Sequence, residues 1–419
     1  MLRFWMKFMI ICAVSGSSIL NAADEWRTDG AQLNTPRHGA TAVTLNGYIY
    51  VMGGATINGN VLNTVERYDP VNEIWDEAVV APFDIPRVDA TSMVLGGKIY
   101  LIGGQDEEGK ALDKVEEYDP ASNIWTELSE TREKRRGAVA APIFGTICLM
   151  GGLRENNAYE EKIEWYDIAN EKWEQAQSNW NLPRFKPFFA GIDDKLYLFG
   201  GIFNVPEKSG FIGDVTPGWD ITWSNSASLQ ATRGNGATAV LNDSIFMIGG
   251  INSSGATSDL VEIYDVSSQQ FSTPPRLPIH LAGMAAAVLN NEIYVIGGYS
   301  DSPDQPLASV EIFSPLTALN TPRDPLPSTF ALMRAFPNPF NGVVQIEVDI
   351  PKRGEHSLAL YDLQGRKVKI LQNGLLASGK HSFEWNGADD RNNGVATGIY
   401  LAVLQSNAYL RKLKVIYVK

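Results

Sequence analysis

Cysteine is nearly absent from this chain: its 419 residues contain two, Cys12 and Cys148. Cys12 lies in an N-terminal apolar run that reads as a removable signal, so a mature chain would carry one thiol and no internal disulfide. Stability must then come from packing. Cys148 sits in the apolar stretch Ile147 to Met150 and reads as an inert core thiol. Histidine is also scarce, with four residues. There is no His-Glu-x-x-His motif, no glycine-rich phosphate loop and no Ser-His-Asp order, so no residue is assigned a catalytic role and neither metal nor cofactor is expected. An excess of positive charge is lacking too: 35 Lys and Arg face 48 Asp and Glu, a net −13. That balance excludes a broad nucleic-acid surface but permits a local cationic pocket. Finally, no apolar run reaches the roughly 20 residues that a spanning helix needs. The run from Phe8 to Val14 follows Arg3 and Lys7 and precedes Asn21-Ala22-Ala23, which reads as a secretory signal over residues 1–23. Its removal would take the charge to −15, with no transmembrane segment left.

What the chain has in quantity is glycine, 38 residues, together with ten Trp and fifteen Tyr. Many tight turns and aromatic-packed strands favour an all-β chain. A repeat organises them. A Gly-Gly pair follows an apolar strand six times: Gly53-Gly54, Gly103-Gly104, Gly151-Gly152, Gly200-Gly201, Gly249-Gly250 and Gly297-Gly298. Successive spacings are 50, 48, 49, 49 and 48 residues. The preceding strands, such as Tyr48-Ile49-Tyr50-Val51-Met52, are the near-continuous apolar runs of buried strands. Tyr-Asp follows the second glycine by 14 in four repeats, at Tyr68, Tyr118, Tyr166 and Tyr264. A glutamate stands two residues before each of these tyrosines: Glu66, Glu116, Glu164 and Glu262. An aromatic follows each Asp by six: Trp75, Trp125, Trp173 and Phe271. Seventeen residues before the second glycine stands an arginine in five repeats, Arg37, Arg87, Arg135, Arg184 and Arg233; the sixth slot is Leu281.

Double glycine, then Tyr-Asp, then Trp, at a period near fifty, resembles the kelch repeat over residues 26–315. The resemblance implies six four-stranded blades closed into a β-propeller around a central channel. Trp26 lies 11 before Arg37, where Trp75 lies 12 before Arg87, and the last repeat has no Trp after Phe313. The segment around Trp26 is therefore expected to supply the fourth strand of the sixth blade, leaving no open edge. Repeat four lacks its Tyr-Asp and implies an altered third strand and a remodelled loop between Val205 and Asp220.

In an up-and-down blade, the start of strand one and the loop after Gly-Gly share a face. The five arginines belong to that face. They admit two readings: a cationic mouth for carboxylates, sulfates or acidic peptides, as some kelch proteins use them, or architecture repeated at each blade. The unrepeated residues beside them, His38, Asp89, Arg136, Lys186, Asn235 and His280, are candidates for specificity. Two kelch enzyme types bear on function. The copper site of galactose-oxidase-like enzymes does not fit the position of Cys148. Sialic-acid mutarotases, six-bladed kelch proteins acting on an anionic sugar, fit the blade number and the arginine face.

Residues 316–333 read as a proline-rich linker. Residues 334–419 carry six or seven short alternating strands, the pattern of a small Ig-like β-sandwich. Phe-Pro-Asn-Pro-Phe-Asn (336–341), Tyr-Asp-Leu-Gln-Gly-Arg (361–366), Gly-Lys-His-Ser-Phe-Glu-Trp-Asn-Gly (379–387) and Ala-Thr-Gly-Ile-Tyr (396–400) resemble the type A sorting domain of the type IX secretion system and the Ig-like domain of flagellar hook-capping proteins. The first resemblance implies export to the surface of a Gram-negative bacterium, with the secretion machinery as a partner. Asp389, Asp390, Asn392, Asn393 and Gly394 look slightly like a calcium loop, although a polar turn suits them better. The expected fold is thus all-β, a propeller of residues 24–315 followed by the sandwich. The expected function is an exported binding module for a glycan, an acidic ligand or a protein. A sugar-acting enzyme and a structural envelope component are the alternatives.

Overall fold

The computed structural model describes residues 25–315, apart from 168–169, 177–179, 181–182 and 217, and residues 333–418, apart from 337, 339, 351–353, 363–365, 392 and 407–409. The signal reading of residues 1–23 and nearly all of the linker lie outside the described residues. Among those described, every regular element is a strand.

Residues 25–315 form six antiparallel four-stranded sheets. Blade one is typical: Thr41–Leu45, Tyr48–Met52, Val65–Asp69 and Ile74–Asp76 pair in that order. The second strand lies between two neighbouring blades, and Ile49 and Val51 are fully buried. This is why its sequence is apolar on both faces. The innermost strands, Thr41–Leu45, Thr91–Leu95, Val139–Ile143, Phe188–Ile192, Ala237–Leu241 and Ala285–Leu289, contact one another in a closed circle.

The period has a backbone cause. The second glycine of each pair donates its N–H to the carbonyl of the next blade's arginine slot: Gly54 to Arg87, Gly104 to Arg135, Gly152 to Arg184, Gly201 to Arg233, Gly250 to Leu281 and, closing the circle, Gly298 to Arg37. The first glycine sits so close to that carbonyl that a Cβ on Gly53 would lie 2.5 Å from Arg87 O, at a φ of +64°. Only glycine meets both demands.

The outer tryptophans staple one blade to the segment entering it. Trp75 Nε1 donates to Ala31 O, Trp125 to Ala81 O and Trp173 to Ser129 O. Each also packs on the tyrosine of its own blade with ring centroids 5.1 Å apart. Blade six repeats the arrangement with residues from both ends of the propeller. Glu25–Arg27 pairs with Val310–Ser314, Trp26 opposite Phe313, again at 5.1 Å. Blade four keeps four strands, the third being Gly210–Val215, and adds a two-residue hairpin of Ile202–Phe203 with Val205–Pro206. Cys148 is fully buried, and burial pushes its thiol pKa far up, so it stays protonated.

The C-terminal module has two sheets. One orders Met333–Phe336, Val344–Ile350 and Gly379–Trp385; the other orders Lys367–Leu376, Gly354–Asp362, Gly398–Ser406 and Leu410–Tyr417. Their inner faces meet around Ile346, Leu358, Trp385, Ala402 and Val415. The Phe-Pro-Asn-Pro-Phe-Asn motif locks the last strand: Phe340 packs 4.9 Å from Tyr417, and Asn338 Oδ1 accepts from Ile416 N. The Asp389 carboxylate caps its own turn, accepting from Arg391 N and Asn393 N, while Asp390 accepts from Ile370 N. These acids serve a polar turn.

Candidate functional site

At one end of the channel a ring of backbone hydrogen bonds closes on itself. It runs through the second residue after each arginine slot. Asp89 N donates to Gly39 O, Gly137 to Asp89, Lys186 to Gly137, Asn235 to Lys186, Gly283 to Asn235, and Gly39 to Gly283, at 2.8–3.0 Å. All six residues have left-handed backbones, with φ between +46° and +63°. Three are glycine, and their neighbours explain it: a Cβ on Gly137 would fall 2.1 Å from Phe185 and one on Gly283 2.8 Å from Tyr299. The other three, Asp89, Lys186 and Asn235, carry side chains in a conformation that costs a non-glycine residue on the order of 1 kcal/mol. Asp and Asn tolerate it; lysine does so less readily.

Those side chains converge with their neighbours. Lys186 Nζ reaches over Gly137 to Asp89 Oδ1, 2.6 Å away, with both side chains mostly buried. Asn235 Nδ2 donates to the Tyr299 hydroxyl at 3.1 Å. His38 meets the Tyr299 ring edge-on at 5.9 Å. Burial lowers the His38 pKa, with Asp89 opposing that and Lys186 adding to it, so its imidazole is neutral at pH 7. Burial raises the Tyr299 pKa, keeping it a hydroxyl donor. On the other side, Arg136 donates to Gln105 and Asn157 side-chain oxygens and lies over the Phe185 ring, as does Lys186 Nζ at 5.3 Å. The blade-four hairpin continues this surface: Phe203, 39% exposed, packs 4.8 Å from Tyr159. Below the ring the channel forms a cavity of about 220 Å³ lined by small residues such as Ala42, Ala90, Ala140 and Gly236.

The arginine slots lie at this end but do not open into it. Arg37, Arg87, Arg135 and Arg233 are at most 1% exposed and Arg184 is 4% exposed. Their guanidinium groups turn back into their own blades. Arg37 Nη2 is 2.7 Å from Glu66 and its Nη1 donates to Gly53 O; Arg233 is 2.5 Å from Glu262 and donates to Gly249 O and Leu260 O. Arg87 pairs with Glu116 and Arg135 with Glu164 in the same way. Blade four has Phe211 opposite Leu198, where blade one has Glu66 opposite Val51. Arg184 there donates to Pro183 O and Ser209 Oγ. Of the two readings of the five arginines, the geometry fits architecture: the backbone before strand one reaches the face, while the guanidinium groups lie beneath it on glutamates, carbonyls and, for Arg184, the Ser209 hydroxyl. His280 is 61% exposed, bonds to Thr257 O and lies 4.0 Å from Asp259.

His38, Asp89, Arg136, Lys186 and Asn235 are brought to the mouth, joined by Tyr299 and Phe185, which sequence reading had not singled out. Their signal was present. Tyr299 follows Gly-Gly where other repeats have Ala55, Gln105, Leu153, Ile202 and Ile251, and Phe185 stands beside Lys186.

Comparisons with known proteins agree with this architecture. The KLHDC2/KLHL20/DRC7 Kelch-repeats domain matches residues 22–201, and the Kelch motif matches 232–278 and 280–318. The FlgD Ig-like domain matches residues 339–408. The search of curated proteins found no match. Among solved structures, the one described as "Structure of YjhT" superimposes with a TM-score of 0.60 at 17% identity, covering 69% of this chain and 97% of that one. The chain thus carries kelch repeat domains, folded as a six-bladed propeller, and a C-terminal Ig-like domain of the FlgD type.

Proposed function

We propose that the propeller is a binding module whose ligand surface is the mouth around Lys186 and Asp89, and that its ligand is a polar glycan or peptide segment carrying an acidic group. The observation behind this is the ring itself. Glycine satisfies its left-handed geometry at three of six positions, yet Asp89, Lys186 and Asn235 stand at the other three. Strained side chains cluster at functional sites, and these three converge on one mouth, which supports the reading. Lys186 and Arg136 supply cations, Asn235, Tyr299 and His38 supply neutral donors and acceptors, and Phe185 and Phe203 supply stacking faces. Export and surface display belong to the same proposal. They rest on the signal-like N-terminus and the sorting-type motifs of the C-terminal module. Ligand-dependent melting against acidic sugars, sulfated glycans and acidic peptides tests the binding; the N-terminal mass of the secreted protein tests the signal, with Asp24 as the expected first residue.

A sugar-acting enzyme of the mutarotase type is the second reading. It is favoured by the convergence of a neutral imidazole, a carboxylate, an ammonium and a phenol at one mouth, groups suited to proton transfer at a sugar hydroxyl. Anomer exchange followed by NMR on whichever acidic sugar binds would decide between the two.

A further inference from the structure

In four blades a buried glutamate is held by two kinds of donor. Glu66, Glu116, Glu164 and Glu262 each pair with their blade's arginine. Each also accepts a backbone N–H from the residue three before that arginine: Asn34, Asp84, Arg132 and Gln230. Blade six keeps the glutamate. Glu311 stands opposite Val295 as Glu66 stands opposite Val51. Both donors are gone. The arginine slot is Leu281, and the residue three before it is Pro278, which has no N–H. Leu281 does hold the slot, since its carbonyl accepts from Gly250 N as Arg87 O accepts from Gly54 N.

Glu311 is nevertheless 3% exposed, and its Oε2 has no hydrogen-bond partner among the described residues. The groups around it offer no counter-charge. Val295 faces it across the sheet, the Ser309 hydroxyl just before its strand is the polar side chain that favours its charged form, and no charged group contributes to its titration. Arg37 brings its backbone to Gly298 and Leu307, but its guanidinium is committed to Glu66. A carboxylate with no counter-charge and one oxygen unpartnered in such a place carries an uncompensated charge, whereas the neutral acid does not. Burial accordingly pushes the Glu311 pKa up.

We propose that Glu311 is a proton-binding site of the closing blade, occupied by a proton in the intact ring, and that its ionisation loosens the strand on which ring closure depends. Glu311 belongs to Val310–Ser314, which holds Glu25–Arg27 through Trp26 opposite Phe313. The sign follows from linkage. A carboxyl whose folded pKa lies above its unfolded value binds more protons folded than unfolded between the two. Its contribution is intact below the ordinary glutamate pKa and is lost as pH rises toward the folded pKa, up to about tenfold in the opening constant per pH unit.

The test is the full chain against Glu311→Gln, which keeps the shape and cannot ionise, with Glu262→Gln of blade five as control. Melting midpoints and amide exchange of peptides covering residues 25–27 and 310–314 are measured from pH 4.5 to pH 9. The expected result is near-equal behaviour at pH 4.5 and, at alkaline pH, a higher midpoint and at least about tenfold greater protection in Glu311→Gln. Glu262→Gln should be destabilised across the range. Parallel curves for the parent and Glu311→Gln, or a Glu311→Gln protein that is less stable at every pH, would overturn the proposal. So would a midpoint at pH 8 raised by sodium, potassium or calcium in the parent but not in Glu311→Gln, since a metal cation would then be the occupant.

Discussion

Replacing Arg233 with alanine separates architecture from recognition. In the folded chain this guanidinium lies 2.5 Å from the Glu262 carboxylate and satisfies the Gly249 and Leu260 carbonyls, all out of reach of solvent. Arg233→Ala leaves the Glu262 carboxyl buried with one remaining donor, the Gln230 N–H. Breaking one side of a buried pair costs about 3–5 kcal/mol. At about 2 cal/mol/K of unfolding entropy per residue, a propeller of roughly 290 residues converts that into a fall of about 5–8 °C in its melting midpoint. The assay is a calorimetric scan of the full chain, in which the propeller and the C-terminal module are followed as separate transitions where they resolve. Arg136→Ala is the comparison. Its guanidinium sits at the mouth on Gln105, Asn157 and the Phe185 ring, and its loss should cost under about 1 kcal/mol. A stable Arg233→Ala protein that has lost response to acidic ligands would refute the reasoning and restore the arginine slots as a binding ring.

Other outcomes follow from the same geometry. Gly137→Ala should be destabilised by about 2 kcal/mol or more, because its Cβ meets Phe185 at 2.1 Å in a left-handed backbone; Gly96→Ala, with the same φ and open space, should lose about 1 kcal/mol. Paired urea melts measure the difference. Trp26→Ala should lower the propeller midpoint by removing the Phe313 contact and the bond to Pro275 O, at a cost of about 2 kcal/mol, and should expose an edge strand that promotes association, seen by light scattering. Phe203→Ala should cost stability only about 1 kcal/mol, the worth of its contact with Tyr159, while weakening any ligand that extends over blade four; titration calorimetry would read the loss.

The period made the blades legible because every blade solves the same packing problem: Gly54, Trp75 and their equivalents recur where the next blade's backbone arrives. Two of the repeated marks, Arg37 and Glu66, were visible as separate signals twenty-nine residues apart, and their union was not. Sequence places Arg37 before strand one, hence at the mouth, but does not say that its side chain folds back under that strand. The mouth itself was legible only in part. Asp89, Lys186 and Asn235 stood out as unrepeated neighbours of the arginine slots. Their left-handed backbones depend on a hydrogen-bonded ring that exists only once six blades close. The weight of Tyr299 and Phe185 was harder to read for a similar reason, since it lies in what they cover, Gly283 and Gly137. The closing blade shows the reverse case. Leu281 was readable as a departure from the arginine slot, and what it means for Glu311, together with Pro278, emerges only when the sheet brings them together.

The most direct test of the mouth as a binding surface is the shift in melting midpoint that acidic sugars, sulfated glycans and acidic peptides produce in the parent, in Lys186→Met and in Asp89→Asn. The account predicts that at least one of these ligands raises the midpoint of the parent and that both variants, though folded, lose that shift. A shift that survives in both variants, or is lost only in Arg233→Ala, would contradict it.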